Sequence, residues 1–322
     1  MILIQTDKGI RKIQTSAAKT SINKFKGWYC NAGVDFLWIN HEGYIFGNVC
    51  RHSGCYGNLY DNFELPKEPM ICPANSCYCA ADIEILKSPN KNDMELFGRN
   101  IQNDELHNLQ DYTDENIIAV HGVNKTDQNR VLSINWNIGK RCNYSCSYCP
   151  PSVHDNHSPH MSFKVFKNAI DKILSSIDID KFQITCTGGE PTINPDYFKI
   201  VEYTNSLGGK VFTNTNGTST AKKLSKLVDA GGVSLSVHAE FAQVEKLANK
   251  ITTVFENGIN GILKVKYMLA PGGLDACKKF FDIIPEPNGN YRCSVEPLVD
   301  KLNDRKILSY SQEELDFIQG KQ

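Results

Sequence analysis

The stretch "VLSINWNIGKRCNYSCSYCP", residues 131–150, joins an alternating apolar run to a loop with three cysteines. The run at 131–138 has the period of a β-strand. Cys142, Cys146 and Cys149 follow it with the spacing C-x₃-C-x₂-C. Three thiols are an odd number for disulfides and one short of a closed four-thiolate site. A zinc ion with an open position is possible, but three ligands crowded into one loop favour a cubane iron–sulfur cluster with one free iron.

The chain after residue 131 alternates strand and helix patterns. Strand patterns lie at 131–138, 182–189, 210–217, 233–238, 262–270 and 291–299. Repeated βα units predict parallel strands with right-handed crossovers and functional residues at the carboxyl ends of the strands. Six units are too few to close an eight-fold barrel. We therefore predict an α/β fold built as a partial (βα)6 barrel.

The first ninety residues have a different texture, rich in glycine, asparagine and aromatic residues. Half of the chain's 12 cysteines lie here, namely Cys30, Cys50, Cys55, Cys72, Cys77 and Cys79. "DFLWINHEGYIFG" predicts a short β-hairpin with its turn at 40–43. A segment with so little continuous core needs metal to hold its shape. We predict a small cysteine-rich, loop-rich auxiliary domain at 1–90, a polar linker with a short helix at 91–130, and the barrel at 131–322.

Composition narrows the possible partners and the compartment. The chain has 322 residues and a formal net charge of -1, which argues against nucleic acid as a partner. Its apolar runs fall short of the roughly 18–20 residues that span a membrane, and the start "MILIQTDKGIRK" is too short for a signal peptide. This predicts a cytoplasmic protein, in which clustered cysteines bind metal or do chemistry rather than form disulfides.

The second motif, "TGGEPT" at 187–192, ends the second predicted strand. Gly188 and Gly189 remove side chains, so that backbone and a ligand can approach closely. The neighbouring carbonyl groups and the carboxylate of Glu190 can accept hydrogen bonds from an ammonium group. Pro191 fixes the exit of the strand. These residues predict a ligand site one βα unit after the cysteine loop.

"CNYSCSYC" together with "TGGEPT" resembles the radical S-adenosylmethionine (radical SAM) superfamily over residues 131–299. The resemblance implies that Cys142, Cys146 and Cys149 hold a [4Fe–4S] cluster and that S-adenosylmethionine chelates its fourth iron. It further implies reductive cleavage to a 5′-deoxyadenosyl radical, which abstracts a substrate hydrogen, with electrons from a donor such as flavodoxin or ferredoxin. Tyr148 matches the aromatic position near the adenine.

Polar residues near the ends of later strands are further candidates. By this resemblance, contacts to S-adenosylmethionine or substrate are predicted for Thr213, Asn216, Ser236, His238 and Lys266. Thr215 and Lys264 are alternatives on the same strands, and each of these residues can also be a polar side chain that merely finishes a strand. Between the motifs, His154, His157 and His160 predict a polar loop facing the substrate.

"CNAGVDFLWINHEGYIFGNVC", residues 30–50, resembles the opening of SPASM or Twitch auxiliary-cluster domains. Those domains usually follow the radical core, whereas this segment precedes it. Its predicted cluster ligands are Cys30, Cys50, Cys72 and Cys77, with Cys55 and Cys79 as alternates. A structural zinc site is the alternative.

The resemblance predicts a radical SAM enzyme, of oxidoreductase or isomerase type, that modifies a peptide by cross-linking, oxidation or epimerisation. An epimerase needs a hydrogen donor, for which Cys293 or Cys277 is a speculative candidate. The alternative is oxidation or rearrangement of a small molecule such as a sugar or nucleotide. A non-catalytic iron–sulfur or zinc scaffold would predict damage to a core motif, and both motifs are intact.

Overall fold

The computed structural model describes most of the chain. The described residues are 1–7, 9–96, 117–122, 131–300 and 306–321. Much of the predicted linker, 97–116 and 123–130, lies outside these ranges. Among the described residues no helix combines the length and apolar character that crossing a bilayer requires.

The chain divides into two compact units. Unit 1 consists of residues 1–135 and 168–183, and unit 2 of residues 136–167 and 184–322. The predicted division near residue 131 is close to the first boundary, but the return of 168–183 to unit 1 was not predicted. A sequence pattern reports that a helix is present, not which body it packs with. The separate auxiliary domain at 1–90 stays a prediction.

Short strands and helices make up unit 1. The strands are β1 (Ile2–Thr6), β2 (Gly9–Ile13), β3 (Tyr29–Cys30), β4 (Phe36–Ile39), β5 (Tyr44–Phe46), β6 (Cys55–Asn58), β7 (Met70–Ile71), β8 (Lys87–Ser88) and β9 (Ile117–Gly122), and the helices are α1 (Thr15–Ser21), α2 (Ala80–Ile83) and α3 (Lys91–Leu96). One sheet has the order β2-β1-β9-β8-β3-β7. Buried Ile2, Ile4 and Val120 contribute to its core. β9 lies within 91–130, the range predicted as a linker. Its apolar residues "IIAV" form a strand of this sheet instead.

The predicted hairpin is confirmed. β4 and β5 pair antiparallel, with Trp38 opposite Phe46. The amide of Gly43 donates to the carbonyl of Asn40 at 3.0 Å, and Gly43 has a φ of 87°, which glycine adopts without strain. The side-chain oxygen of Asn40 accepts from the amide of Tyr44 at 2.8 Å. The turn is therefore fixed by the two residue types that favour it.

A mixed α/β array follows, and its carboxyl-terminal strand ends lie in unit 2. The strands are β10 (Val131–Asn137), β11 (Lys181–Thr187), β12 (Lys210–Thr215), β13 (Gly231–Val237), β14 (Ile262–Leu269), β15 (Tyr291–Pro297), β16 (Val299–Asp300) and β17 (Lys306–Ile307), and the helices are α4 (Phe163–Ser176), α5 (Tyr197–Ser206), α6 (Ala221–Asp229), α7 (Val244–Glu256), α8 (Leu274–Ile283) and α9 (Gln312–Gly320). The order β15-β14-β13-β12-β11-β10 follows the chain. β12 to β15 are parallel neighbours. All six predicted strands are present, and the curvature of a partial barrel stays a prediction.

Along these strands the side chains alternate between a buried apolar face and a face that carries polar residues. On β13, Val233, Leu235 and Val237 are buried, while Ser234 and Ser236 occupy the other face. Because successive side chains of a strand point to opposite faces, the serines share one side of the sheet. Polar residues at the strand ends are thereby brought to one place.

Candidate active site

The three-cysteine loop is tied to the end of β11 by main-chain hydrogen bonds. The amide of Gly189 donates to the carbonyl of Gly139 at 2.9 Å, and that of Glu190 donates to the carbonyl of Arg141 at 2.8 Å. On its other side, the amide of Cys142 donates to the carbonyl of Asp155 at 2.7 Å. The entry to the loop is therefore held by backbone from two segments.

Gly188 and Gly189 are required by this close approach. A β-carbon at Gly189 would overlap the carbonyl groups of Lys140 and Arg141, and one at Gly188 would overlap that of Gly139. Gly188 also has a φ of 142°, a conformation that favours glycine. The glycines were predicted to make room for a ligand. The space they leave is occupied by the backbone that precedes the first cysteine, although both also line the cavity described below.

Glu190 braces two strand ends. It is 2% exposed, and its Oε1 accepts hydrogen bonds from the amide and hydroxyl of Thr192 and from the hydroxyl of Thr215, at 3.0, 2.5 and 2.8 Å. Its Oε2 accepts from the amide of Asn216 at 2.6 Å. Burial raises the pKa of Glu190, and these four hydrogen bonds oppose that effect. The carboxylate that was predicted to meet an ammonium group instead joins the end of β11 to the end of β12.

A cavity of about 340 Å³ lies beside the three cysteines. Its lining includes Cys142, Cys146 and Cys149 and the predicted residues Tyr148, Gly188, Gly189, Asn216, Ser236, His238 and Lys266. Three predicted residues are outside this lining. Glu190 acts as the brace, Pro191 is buried at the start of a 3₁₀ helix, and Thr213 is buried with its hydroxyl 2.7 Å from that of Tyr197.

The β12 prediction chose the wrong face for one residue. Asn214 lines the cavity, whereas Thr213 faces the side that packs on α5. Thr213 and Thr215 are two residues apart on β12, yet of these two only Thr215 lines the cavity, because it is the last residue of the strand. Other lining residues that the prediction missed are Tyr144, Thr187, Pro297 and Leu298. Tyr144 was within reach of sequence reasoning, since it lies between two of the cysteines.

The segment after β13 contacts the cysteine loop through three neighbouring residues. The hydroxyl of Tyr148 lies 2.5 Å from Nδ1 of His238, and the two rings stack with centroids 5.8 Å apart. Glu240 accepts hydrogen bonds from the amide and hydroxyl of Ser147, at 2.9 and 3.2 Å. Tyr144 stacks on Phe241 at 5.5 Å. The tyrosines of the cysteine loop that line the cavity, Tyr144 and Tyr148, are therefore held in place by the segment that follows β13.

The thiols of this loop suit a cluster better than a single ion. In tetrahedral zinc sites sulfur lies about 2.3 Å from the metal, so the ligands must converge tightly. Among the described residues no three histidine, cysteine or acidic side chains converge to hold one ion. A cubane distributes its thiolates over separate irons. Burial raises the pKa of Cys142 and raises that of Cys146 to about 11, while the amide of Tyr144 donates to Sγ of Cys142 at 3.4 Å.

Cys277 and Cys293 are placed away from this cavity. Cys277 is fully buried on α8. Cys293 lines a separate cavity of about 250 Å³ together with Phe281 and Lys321. Neither thiol lines the cavity of the cysteine loop. Their role as hydrogen donors stays a prediction without support from this placement.

In unit 1 the four predicted cluster cysteines are held on separate short elements. Cys30 lies on β3, the amide of Cys72 donates to the carbonyl of Trp28 at 2.7 Å, and the amide of Cys77 donates to that of Asn23 at 2.7 Å. Cys72 packs against the apolar cluster that contains Cys30, and Cys72 and Cys77 both pack against the cluster that contains Phe25.

The anchor of Cys50 is Asp82, which follows Cys79, the last cysteine of unit 1, by three residues. Its two carboxylate oxygens accept from the amides of Val49 and Cys50, at 2.7 and 2.9 Å. The alternates are placed differently. Cys55 is exposed and donates to the carbonyl of Gly57 at 3.5 Å, and Cys79 precedes α2 as its N-cap.

Residues 136–266 match the radical SAM superfamily, so this part of the chain is a radical SAM domain. The match begins at the end of β10 and ends within β14. It contains the three cysteines, the glycine motif and every predicted S-adenosylmethionine contact. The match to this superfamily implies a [4Fe–4S] cluster and S-adenosylmethionine as cofactors.

Several known proteins are similar to parts of the chain. A GTP 3′,8-cyclase of Haemophilus influenzae is 27% identical over 139 residues, 42% of this chain and 41% of the relative. An S-adenosylmethionine-dependent nucleotide dehydratase of Selenomonas ruminantium is 34% identical over 85 residues, 26% of this chain and 30% of the relative. The crystal structure of Streptococcus suis SuiB bound to precursor peptide SuiA is 15% identical with a TM-score of 0.41, covering 59% of this chain and 44% of SuiB. Each match spans less than half of the known protein.

Proposed function

We propose that the chain is a radical SAM enzyme whose cluster is bound by Cys142, Cys146 and Cys149. The observation that carries the proposal is their position. Three thiols of one loop line a single cavity with bare glycine backbone and with polar residues of β11, β12, β13 and β14. When bound by these cysteines, the cluster together with S-adenosylmethionine would supply radical abstraction of a hydrogen atom from the substrate. The residues of the protein would bind and orient the cofactor and the substrate and would shield the reacting groups from solvent.

The lining residues divide the cavity by chemistry. The carbonyl groups around Gly188 and Gly189 accept hydrogen bonds from the amino group of S-adenosylmethionine, and Lys266 pairs with its carboxylate. Asn216 and Ser236 bind ribose hydroxyls. Tyr148 packs against the adenine, held in place by its contact with His238.

Cys30, Cys50, Cys72 and Cys77 are proposed to hold an auxiliary iron–sulfur cluster in unit 1. Support comes from the packing of Cys72 against the clusters that contain Cys30 and Phe25, from the packing of Cys77 against the latter, and from the anchoring of Cys50 by Asp82. Four cysteines are also the ligand set of a complete [4Fe–4S] cluster. Cys55 is exposed, which makes it the weaker candidate.

The proposed substrate is a nucleotide or a related small molecule. Two relatives that are similar to part of the chain are a GTP 3′,8-cyclase and an S-adenosylmethionine-dependent nucleotide dehydratase. The polar lining contributed by Asn214 and Ser234 suits a polyhydroxylated molecule. A peptide is the second candidate, because the cysteine-rich segment resembles domains of peptide-modifying enzymes.

The enzymatic activity is tested with the anaerobically reconstituted protein. Dithionite reduction in the presence of S-adenosylmethionine is expected to release 5′-deoxyadenosine, measured by liquid chromatography and mass spectrometry. Cys146→Ala is expected to lose the product, while Cys186→Ala, a buried β11 thiol outside the cavity lining, keeps it. No product from protein with a fully loaded cluster would contradict the proposal.

The substrate class is tested by the dependence of 5′-deoxyadenosine formation on added molecules. GTP, CTP and UTP form one arm, and a library of short synthetic peptides forms the other. Stimulation by a nucleotide, with a matching new product mass, supports the first candidate. Stimulation by peptides alone replaces it with the second.

A further inference from the structure

Lys87 carries a buried ammonium group in the cysteine-rich part of unit 1. The residue is 2% exposed, and its Nζ donates to the main-chain carbonyls of Asp82 and of Ile85, the latter at 2.9 Å. The ring of Phe25 lies 5.1 Å from the ammonium. Among the described residues no carboxylate forms an ion pair with it. A cation sealed in such a place is costly unless an anion is nearby.

Cysteines share the packing around Lys87. Cys72 and Cys77 pack against the apolar cluster that contains Phe25, whose ring lies beside the ammonium. Cys30 and Lys87 are direct partners in the antiparallel pairing of β3 with β8, so their side chains project from the same face. The carboxylate of Asp82 is engaged elsewhere, with the amides that anchor Cys50.

We infer that Lys87 is the counter-charge of the four-cysteine site and that loading this site with metal is what makes its burial favourable. The inference rests on the auxiliary cluster proposed above. Neutral thiols do not compensate an ammonium, whereas metal coordination deprotonates each thiol and makes the site anionic. Lys87 is thus a positioning residue: it stabilises the loaded site through charge and binds no metal itself.

The test uses full-length protein carrying Cys142→Ala, Cys146→Ala and Cys149→Ala, so that bound iron reports on unit 1 alone. Lys87→Met in this background is expected to release iron to a chelator about 10–100-fold faster, the usual effect of removing a residue that supports metal ligands. Lys87→Met leaves the carbonyls of Asp82 and Ile85 without this donor in the loaded and the stripped protein alike, but only the loaded protein also loses the charge that compensates the anionic site. The gap between loaded and stripped melting temperatures therefore shrinks.

Lys91→Met is the matched control, since Lys91 is an exposed lysine four residues away that pairs with Glu68. It is expected to change neither measurement. Lys87→Gln, which keeps a donor for the two carbonyls, is measured in the same way should Lys87→Met fail to fold. Unchanged iron release and an unchanged melting gap in the neutral variant overturn the counter-charge alone. A parent protein that binds no iron overturns the four-cysteine site, and the inference with it.

Discussion

The brace formed by Glu190 leads to a prediction about a single atom. Glu190→Gln replaces one carboxylate oxygen by an NH₂ group of nearly the same size. In the native protein all four partners of this side chain are donors, three on Oε1 and one on Oε2. The amide nitrogen must therefore face a donor in either orientation. The less damaging orientation places the amide nitrogen of the new side chain against the main-chain amide of Asn216 and keeps the oxygen for the other three donors.

The cost follows from these contacts. One charge-assisted hydrogen bond, worth about 1.5–3 kcal/mol, is lost, and a buried donor is left unpaired. The three bonds that remain become neutral and weaken by about half. The smaller desolvation of an amide offsets part of this loss. We expect the free energy of unfolding to fall by about 2–4 kcal/mol.

The measurement is urea denaturation of the cluster-free chain, followed by both circular dichroism and fluorescence, because two units need not unfold together. Glu202→Gln, an exposed carboxylate on α5, is the control and is expected to stay within about 0.5 kcal/mol of the parent. Glu190→Gln is also expected to bind S-adenosylmethionine more weakly, since Asn216, one of the partners of Glu190, lines the cavity. A Glu190→Gln protein as stable as the Glu202→Gln protein would refute the brace.

Three further predictions concern single side chains. Gly189→Ala places a β-carbon against main-chain carbonyls and is expected to abolish loading of the three-cysteine loop, measured as iron per chain, whereas Gly320→Ala meets no atom and leaves it unchanged. Asp82→Asn loses an acceptor for one of two amides and is expected to lower iron bound in unit 1, with Cys50 the ligand displaced. Thr220→Ala removes the 3.4 Å N-cap hydrogen bond of α6 and is expected to cost about 0.5–1 kcal/mol in urea denaturation.

Local patterns predicted the elements better than they predicted side-chain roles. The strands of the α/β array and the hairpin around Gly43 follow from periodicity and turn residues, which act over a few positions. The role of Glu190 depends on donors 25 and 26 residues away, which no local pattern reveals. Asn214 was missed for Thr213 because one residue of register decides which face of β12 a side chain occupies. β1 and β9 were missed because they pair with each other from distant parts of the chain, which no local pattern reveals.

The main-chain bonds from Gly189 and Glu190 to the residues before Cys142 have a consequence for maturation. Backbone, not metal, sets the path by which the chain enters the loop. An iron–sulfur carrier protein would therefore meet a receiving loop whose entry is already shaped, and would need to organise only the last few residues around its cargo. Cluster delivery can then follow folding of this unit instead of having to accompany it, so protein that emerges without iron is still a competent acceptor.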